Sequence, residues 1–214
     1  DAGAMQGALS RMNFDLIVGY DLSIQAFREQ VEQFKAKIKN ADIALLFYSG
    51  HGVQFHNQNY LLPVDIELSS EADVAAKAIA LNDLLVAMGK SAKASIIFLD
   101  ACRDSPRFRS ITGGPETASQ QGESRFLPGL APIKASPANR FVGYAAAPGK
   151  LAEDGRGNNS PFTRALVRHI DKPVGINAMF TAVSADVLKA TANRQQPEAI
   201  NSLDKQLHLN PSGR

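Results

Sequence analysis

Apolar residues fall into two patterns that alternate along the chain: short unbroken runs, and runs in which every third or fourth residue is apolar. The unbroken runs predict buried strands at 14–20, 42–48, 94–99 and 141–147. The helical spacing predicts helices ending near Met12, from Ser23 to about Lys39, around Leu84, and at 160–170 and 176–192, with a last short strand at 206–209. Apolar strands that alternate with amphipathic helices are typical of parallel sheets covered on both faces. We therefore predict an α/β fold with three layers, αβα, in which the middle layer is a mostly parallel sheet.

Residues 103–140 show neither pattern, and they hold five of the 11 prolines together with many Ser, Gly and Gln. A stretch of this length without secondary structure is usually functional or disordered in a compact domain. We predict a long loop directly after Cys102, and both a functional loop and a mobile insertion fit the pattern. No internal repeat divides the chain, and its 214 residues are the size of one domain, which we place over 1–214.

Composition and charge mainly exclude classes of function. The 23 Lys and Arg residues against 21 Asp and Glu give a net charge of +2, which offers no global attraction to nucleic acid or a membrane surface. No apolar run approaches the roughly 20 residues of a membrane-spanning helix. A single cysteine, Cys102, excludes an intramolecular disulfide. Because the chain begins at Asp1 without Met, we expect a processed or partial product, with a cytoplasmic location favoured and an exported form as the alternative.

Two segments with candidate chemistry follow predicted parallel strands, Ser49-Gly50-His51-Gly52 and Asp100-Ala101-Cys102-Arg103. Carboxyl ends of parallel strands share one sheet edge, so we expect the imidazole of His51 and the thiol of Cys102 to lie together. A nucleophilic cysteine needs a neighbouring base or imidazolium, and a histidine also protonates a leaving amine. The glycines beside His51 would let a substrate backbone approach, and the N–H groups of Gly52 and Cys102 would stabilise an oxyanion. The alternatives are an inert buried thiol and a histidine that only occupies a glycine turn.

These segments resemble caspase-like cysteine peptidases, in particular bacterial metacaspase and paracaspase relatives. The resemblance rests on 47–52 and 98–103 and extends to 59–65, 141–149 and 159–163, which together span nearly the whole chain. His51 precedes Cys102 by 51 residues, close to the spacing of about 50 that caspases have. The resemblance implies a caspase-like fold, a His51–Cys102 dyad and peptide hydrolysis through a thioester. It also implies an apolar first strand before the segment that matches residues 1–12, and we expect that strand to be missing from this chain.

Asp100 predicts a preference for basic substrates, because a buried carboxylate attracts a cation and repels an anion. The resemblance implies the same specificity: metacaspases and paracaspases, which cleave after Arg or Lys, have Asp at this position, whereas caspases that cleave after aspartate have Gln. Asp1 aligns with a second acidic residue of the paracaspase substrate pocket. The alternative for Asp100 is a carboxylate that only caps nearby backbone N–H groups.

Three arginines of the long loop, Arg107, Arg109 and Arg125, are possible self-cleavage sites for a peptidase with this specificity, and some relatives process themselves in this way. Surface arginines are also common in loops, so an unprocessed chain is the alternative.

Metal and cofactor sites have little support in the sequence. His56, His169 and His208 lack the spacing of zinc ligands, and no dense acidic loop beside Asp104 supports calcium, although calcium dependence stays open. No glycine-rich phosphate loop is present. We predict a monomeric cysteine endopeptidase without cofactor or metal that acts on peptides or proteins and has no nucleic-acid or membrane partner. The alternatives are a catalytically silent caspase-like scaffold and a small-ligand binding domain.

Overall fold

A computed structural model describes residues 1–67, 71–101, 126–127, 130–133, 139–147, 149–155 and 157–210. The helices of this part are α1 (Ala2–Arg11), α2 (Ile24–Lys37), α3 (Glu71–Lys77), α4 (Leu81–Ser91), α5 (Pro161–His169) and α6 (Ile176–Ala190). The strands are β1 (Ile43–Gly50), β2 (Gly52–Phe55), β3 (Gln58–Leu61), β4 (Ile79–Ala80), β5 (Ala94–Ala101), β6 (Phe126–Leu127), β7 (Arg140–Tyr144) and β8 (Glu198–Asn201). The predicted α/β class is confirmed.

The central sheet has the strand order β1-β5-β7-β8. The first three strands are parallel, and β8 runs antiparallel to β7 at one edge. β5 is buried at every position, as expected for a strand covered on both faces. The prediction of a mostly parallel central sheet is therefore confirmed.

Successive residues of β5 point to opposite faces of the sheet. Ile96 and Phe98 join the core cluster formed with α1, α5 and α6, whereas Ile97 and Leu99 join the cluster formed with α2 and α4. This gives the three predicted layers. Continuing the alternation places the next side chain, Asp100, on the face covered by α1 and α5.

Two helices begin at the predicted capping residues. Ser23 Oγ accepts a hydrogen bond from the Ala26 N–H at 3.3 Å at the start of α2. Ser160 Oγ accepts one from the Thr163 N–H at 2.9 Å at the start of α5, where Pro161 takes the first helical position. The helix predicted around Leu84 is present and runs over Leu81–Ser91.

The strand predicted at 14–20 is wrong. Residues 14–19 have no regular secondary structure, although Phe14 and Leu16 pack against the core on the α1 side. A groove of about 610 Å³ has both this segment and β1 in its lining. An apolar run specifies burial, but a strand also needs a neighbour for its backbone groups, and the sequence pattern does not report that neighbour.

The last predicted strand, 206–209, is also wrong. Leu207 and Leu209 pack against the core without strand structure, and the Ile176 N–H donates to Leu207 O at 2.8 Å. The last strand of the sheet is β8, whose residues are mostly exposed. Backbone pairing with β7 forms this strand, so an apolar run does not mark it.

A smaller sheet, β4-β3-β2-β6, was not predicted. Its centre is the hairpin of β2 and β3, which are joined by His56 and Asn57 with φ of 48° and 58°. Positive φ at both turn residues is typical of a tight two-residue hairpin. The hairpin begins at Gly52 and so fixes the chain directly after His51.

The far end of α5 is attached to α6 through Asp186. Its Oδ2 accepts a hydrogen bond from Arg168 Nη1 at 2.8 Å and lies 3.0 Å from His169 Nε2. Hydrogen bonding to His169, and to a lesser degree to Arg168, lowers the pKa of Asp186 below its ordinary value against an opposing effect of burial.

Asp186→Asn is expected to reduce the free energy of unfolding at neutral pH by less than about 1 kcal/mol, because the carboxylate is partly exposed. A lowered pKa means that the stabilisation is present above the unfolded-state pKa of about 3.9 and is lost as the pH falls through the folded-state value. Urea unfolding should therefore show a smaller difference from wild type at about pH 3.5 than at about pH 5. A difference that is as large at the lower pH would contradict the assignment, and Asp204→Asn is the exposed control.

Candidate active site

The carboxyl ends of β1 and β5 lie side by side. Their register pairs Ser49 with Asp100 and Gly50 with Ala101. The residue before His51 is therefore adjacent to the residue before Cys102. Cys102 and residues 103–125 lie outside the described residues, as do the three loop arginines and Asp104.

The backbone of His51 is held in place while its side chain is exposed. The carbonyl of His51 accepts hydrogen bonds from the Tyr48 hydroxyl at 2.7 Å and from the Leu62 N–H at 3.0 Å. The Tyr48 hydroxyl also lies 3.1 Å from Leu62 O. The imidazole thus projects from a fixed position at the end of β1. Tyr48 was not predicted as a site residue: the sequence marked it as the end of a strand and as part of the segment 47–52 that carries the resemblance.

The glycines beside His51 allow the protein to pack closely against itself. A Cβ on Gly50 would lie 2.8 Å from the Tyr48 hydroxyl oxygen. A Cβ on Gly52 would lie 3.1 Å from Leu130 Cδ2 and 3.4 Å from Ala101 Cβ. In the direction of a Cβ, the space beside both glycines is taken by the protein's own atoms. That the glycines also make room for a substrate backbone stays a prediction. Gly52 lies against the end of β5.

The two acidic residues predicted for a substrate pocket, Asp1 and Asp100, both bind Ser160. Oδ1 of Asp1 accepts the Ser160 backbone N–H at 2.8 Å, and its Oδ2 accepts the Ser49 hydroxyl at 2.8 Å. Oδ2 of Asp100 accepts the Ser160 hydroxyl and, at 2.7 Å, the Thr163 hydroxyl. The structure therefore brings both carboxylates to the start of α5, at the sheet edge from which His51 projects.

The two carboxylates differ in exposure. Asp100 is 0% exposed, whereas Asp1 is half-buried. Although Asp1 precedes α1, its side chain makes no capping bond to that helix. The carboxylate binds β1 and α5 instead.

Ser160 and Thr163 were missed as site residues. The sequence marked Ser160 as a helix start, and it marked both Ser160 and Thr163 as part of a segment, 159–163, that resembles the family. Their link to Asp100 spans 60 and 63 positions, so local spacing does not report it.

No group of three or more metal-ligating side chains assembles within the described parts of the chain. Of the other histidines, His56 occupies the hairpin turn and His169 contacts Asp186.

A family profile, the caspase domain, matches residues 1–208. The chain belongs to the caspase-domain family. This membership supports cysteine peptidase activity, and it implies a peptide or protein substrate. A comparison with curated proteins found no match. Among the helices of the described residues, none is long and apolar enough to cross a membrane.

Gly50→Ala in this caspase-domain chain is expected to reduce kcat/KM on a cleavable peptide about tenfold if His51 is the acid-base group, because displacing such a group is costly. The added methyl group meets the Tyr48 hydroxyl, which holds the His51 carbonyl. Peptide hydrolysis and the melting temperature, measured together, distinguish a displaced His51 from an unfolded protein. Tyr48→Phe removes only the hydroxyl and should reproduce most of the loss. Full activity of Tyr48→Phe would contradict this explanation.

Proposed function

We propose that the chain is a cysteine endopeptidase that cleaves after Arg or Lys, with Cys102 as nucleophile and His51 as acid and base. The observation that carries the proposal is the pair of carboxylates, Asp1 and Asp100, joined by Ser160 at the sheet edge where His51 projects. Ala101, which directly precedes Cys102, pairs with Gly50 at this edge.

The reaction proceeds in two steps. The thiolate of Cys102 attacks the carbonyl carbon of the scissile bond, and the imidazolium of His51 gives its proton to the leaving amine as the C–N bond breaks. Water then attacks the thioester carbonyl while His51 takes its proton. The C–S bond breaks, which releases the acid product and regenerates the thiolate and imidazolium pair. The N–H groups of Gly52 and Cys102 stabilise the oxyanion in both steps.

The substrate preference follows from charge. A guanidinium or ammonium group donates charge-assisted hydrogen bonds to a carboxylate, and each bond is worth about 1.5–3 kcal/mol. An acidic side chain in the same place meets like charge and is rejected. The preference matches the resemblance to metacaspases and paracaspases, and it makes Arg107, Arg109 and Arg125 candidate self-cleavage sites.

The test compares wild type with Cys102→Ala on fluorogenic peptides that end in Arg, Lys or Asp before the leaving group. We expect Cys102-dependent cleavage of the Arg and Lys peptides, at least about tenfold faster than that of the Asp peptide. Cleavage after Asp alone would overturn the specificity, and no Cys102-dependent cleavage of any peptide would favour a silent scaffold. Gel analysis of the incubated enzyme tests autoprocessing, and parallel assays with EDTA and with added calcium test whether a metal is required.

A further inference from the structure

Residues at the start of α5 bind both acidic residues predicted for the substrate pocket. We propose that Ser160 and Thr163 are positioning residues that hold Asp100 in place for a basic side chain of the substrate. This inference rests on the proposed function, since it assigns a role within the same pocket.

The contacts form a closed set. Oδ2 of Asp100 accepts the hydroxyl of Thr163 at 2.7 Å and that of Ser160. Ser160 Oγ in turn accepts the Thr163 backbone N–H at 2.9 Å. All three residues are at most 1% exposed. A carboxylate held by two buried hydroxyls has little freedom to rotate or shift.

Hydroxyl donors suit this role because they carry no formal charge. They satisfy lone pairs of Oδ2 without cancelling the negative charge of the carboxylate. The N-terminus of α5 carries a partial positive charge, which stabilises the ionised form of a nearby carboxylate. A substrate cation that reaches Asp100 would therefore meet a carboxylate whose charge is not neutralised by its hydroxyl partners.

Ser160 also connects the two carboxylates. Its hydroxyl binds Asp100, and its backbone N–H binds Oδ1 of Asp1 at 2.8 Å. A movement of the first turn of α5 would displace both acidic groups together. Ser160, at the start of α5, is thus a partner that the two acidic groups share.

Thr163 gives the cleaner test. Ser160→Ala would remove the cap of α5 as well as the bond to Asp100. Thr163→Val replaces the hydroxyl with a methyl group, so the side chain keeps nearly the same shape. Thr163→Ser keeps the hydroxyl and serves as the rescue variant. Thr191→Val is the matched control, because the buried Thr191 hydroxyl donates to Val187 O at 2.8 Å.

The experiment measures kcat and KM on two peptides that differ only in Arg or Gln before the scissile bond. Thr163→Val is expected to raise KM for the Arg peptide about tenfold and leave kcat within about twofold, with little change for the Gln peptide. Thr163→Ser should restore the wild-type KM, and Thr191→Val should behave as wild type. An equal loss on both peptides, or an unchanged KM for the Arg peptide, would overturn the inference.

A binding measurement separates this inference from the proposed function. Agmatine, a small guanidinium compound, is titrated by calorimetry into Cys102→Ala with and without Thr163→Val. Binding that weakens about tenfold with Thr163→Val supports the inference even if the wild type hydrolyses no peptide, in which case only the proposed function fails. Binding that is absent, or unchanged by Thr163→Val, overturns the inference, and Cys102-dependent cleavage of the Arg peptide would leave the proposed function intact.

Discussion

His51→Asn is expected to lower kcat on an Arg peptide about 10³-fold, with a small change in KM. Asparagine keeps polarity and approximate size but neither activates a thiol nor carries a proton to the leaving amine. The backbone bonds from Tyr48 and Leu62 to the His51 carbonyl do not involve the imidazole, so the local fold should survive. Steady-state kinetics on purified protein, together with the melting temperature, provide the measurement.

Cys102→Ala should abolish the same activity, and the double variant should be no worse than Cys102→Ala alone, because residues of one catalytic unit are not additive. His56→Asn is the matched control: His56 lies in the β2–β3 turn with φ of 48°, a conformation that asparagine tolerates. We expect His56→Asn to be close to wild type. If His51→Asn retained more than about a tenth of the activity, His51 would not be the acid-base group.

Asp100→Asn is expected to lower kcat/KM for Arg and Lys peptides about 100-fold, while a peptide with Gln at the same position changes little. The substitution removes one negative charge with almost no change in volume. The amide oxygen still accepts the hydroxyls of Ser160 and Thr163, so the start of α5 is retained. The measured quantity is the ratio of kcat/KM for the Arg and Gln peptides.

Two comparison variants locate the effect. Asp186→Asn changes a carboxylate of α6 that contacts the far end of α5, and it should leave that ratio unchanged. Asp1→Asn should lower the ratio less than Asp100→Asn does, because the half-buried Asp1 carboxylate interacts with a substrate cation partly through water. A uniform loss on all peptides in Asp100→Asn would identify Asp100 as a structural group instead.

Much of the sheet edge was predictable. The apolar runs of β1 and β5 end in polar segments, and parallel strands bring such ends together, which placed His51 next to the chain that leads to Cys102. The capping residues Ser23 and Ser160 were predictable because N-terminal capping depends on residues only a few positions apart.

Other features were not predictable, because they depend on partners distant in sequence. Residues 14–20 are as apolar as a buried strand, yet whether they pair is decided by which backbone lies beside them. β8 is formed by backbone pairing with β7 on one side and its side chains are mostly exposed, so no apolar run marks it in the sequence. The bonds from Ser160 and Thr163 to Asp100 depend on the face of the sheet that α5 covers, and only the assembled layers reveal that face.

The groove beside β1 also bears on the local stability of the candidate site. Its lining includes Ala2, Ser49 and His51, so it reaches the same sheet edge. In the described residues, β1 is paired only with β5, whereas β5 is paired on both sides. Local opening should therefore cost less free energy at β1, and its amides should exchange with solvent before those of β5. The strand that directly precedes His51 is then the less protected of the two that form this edge.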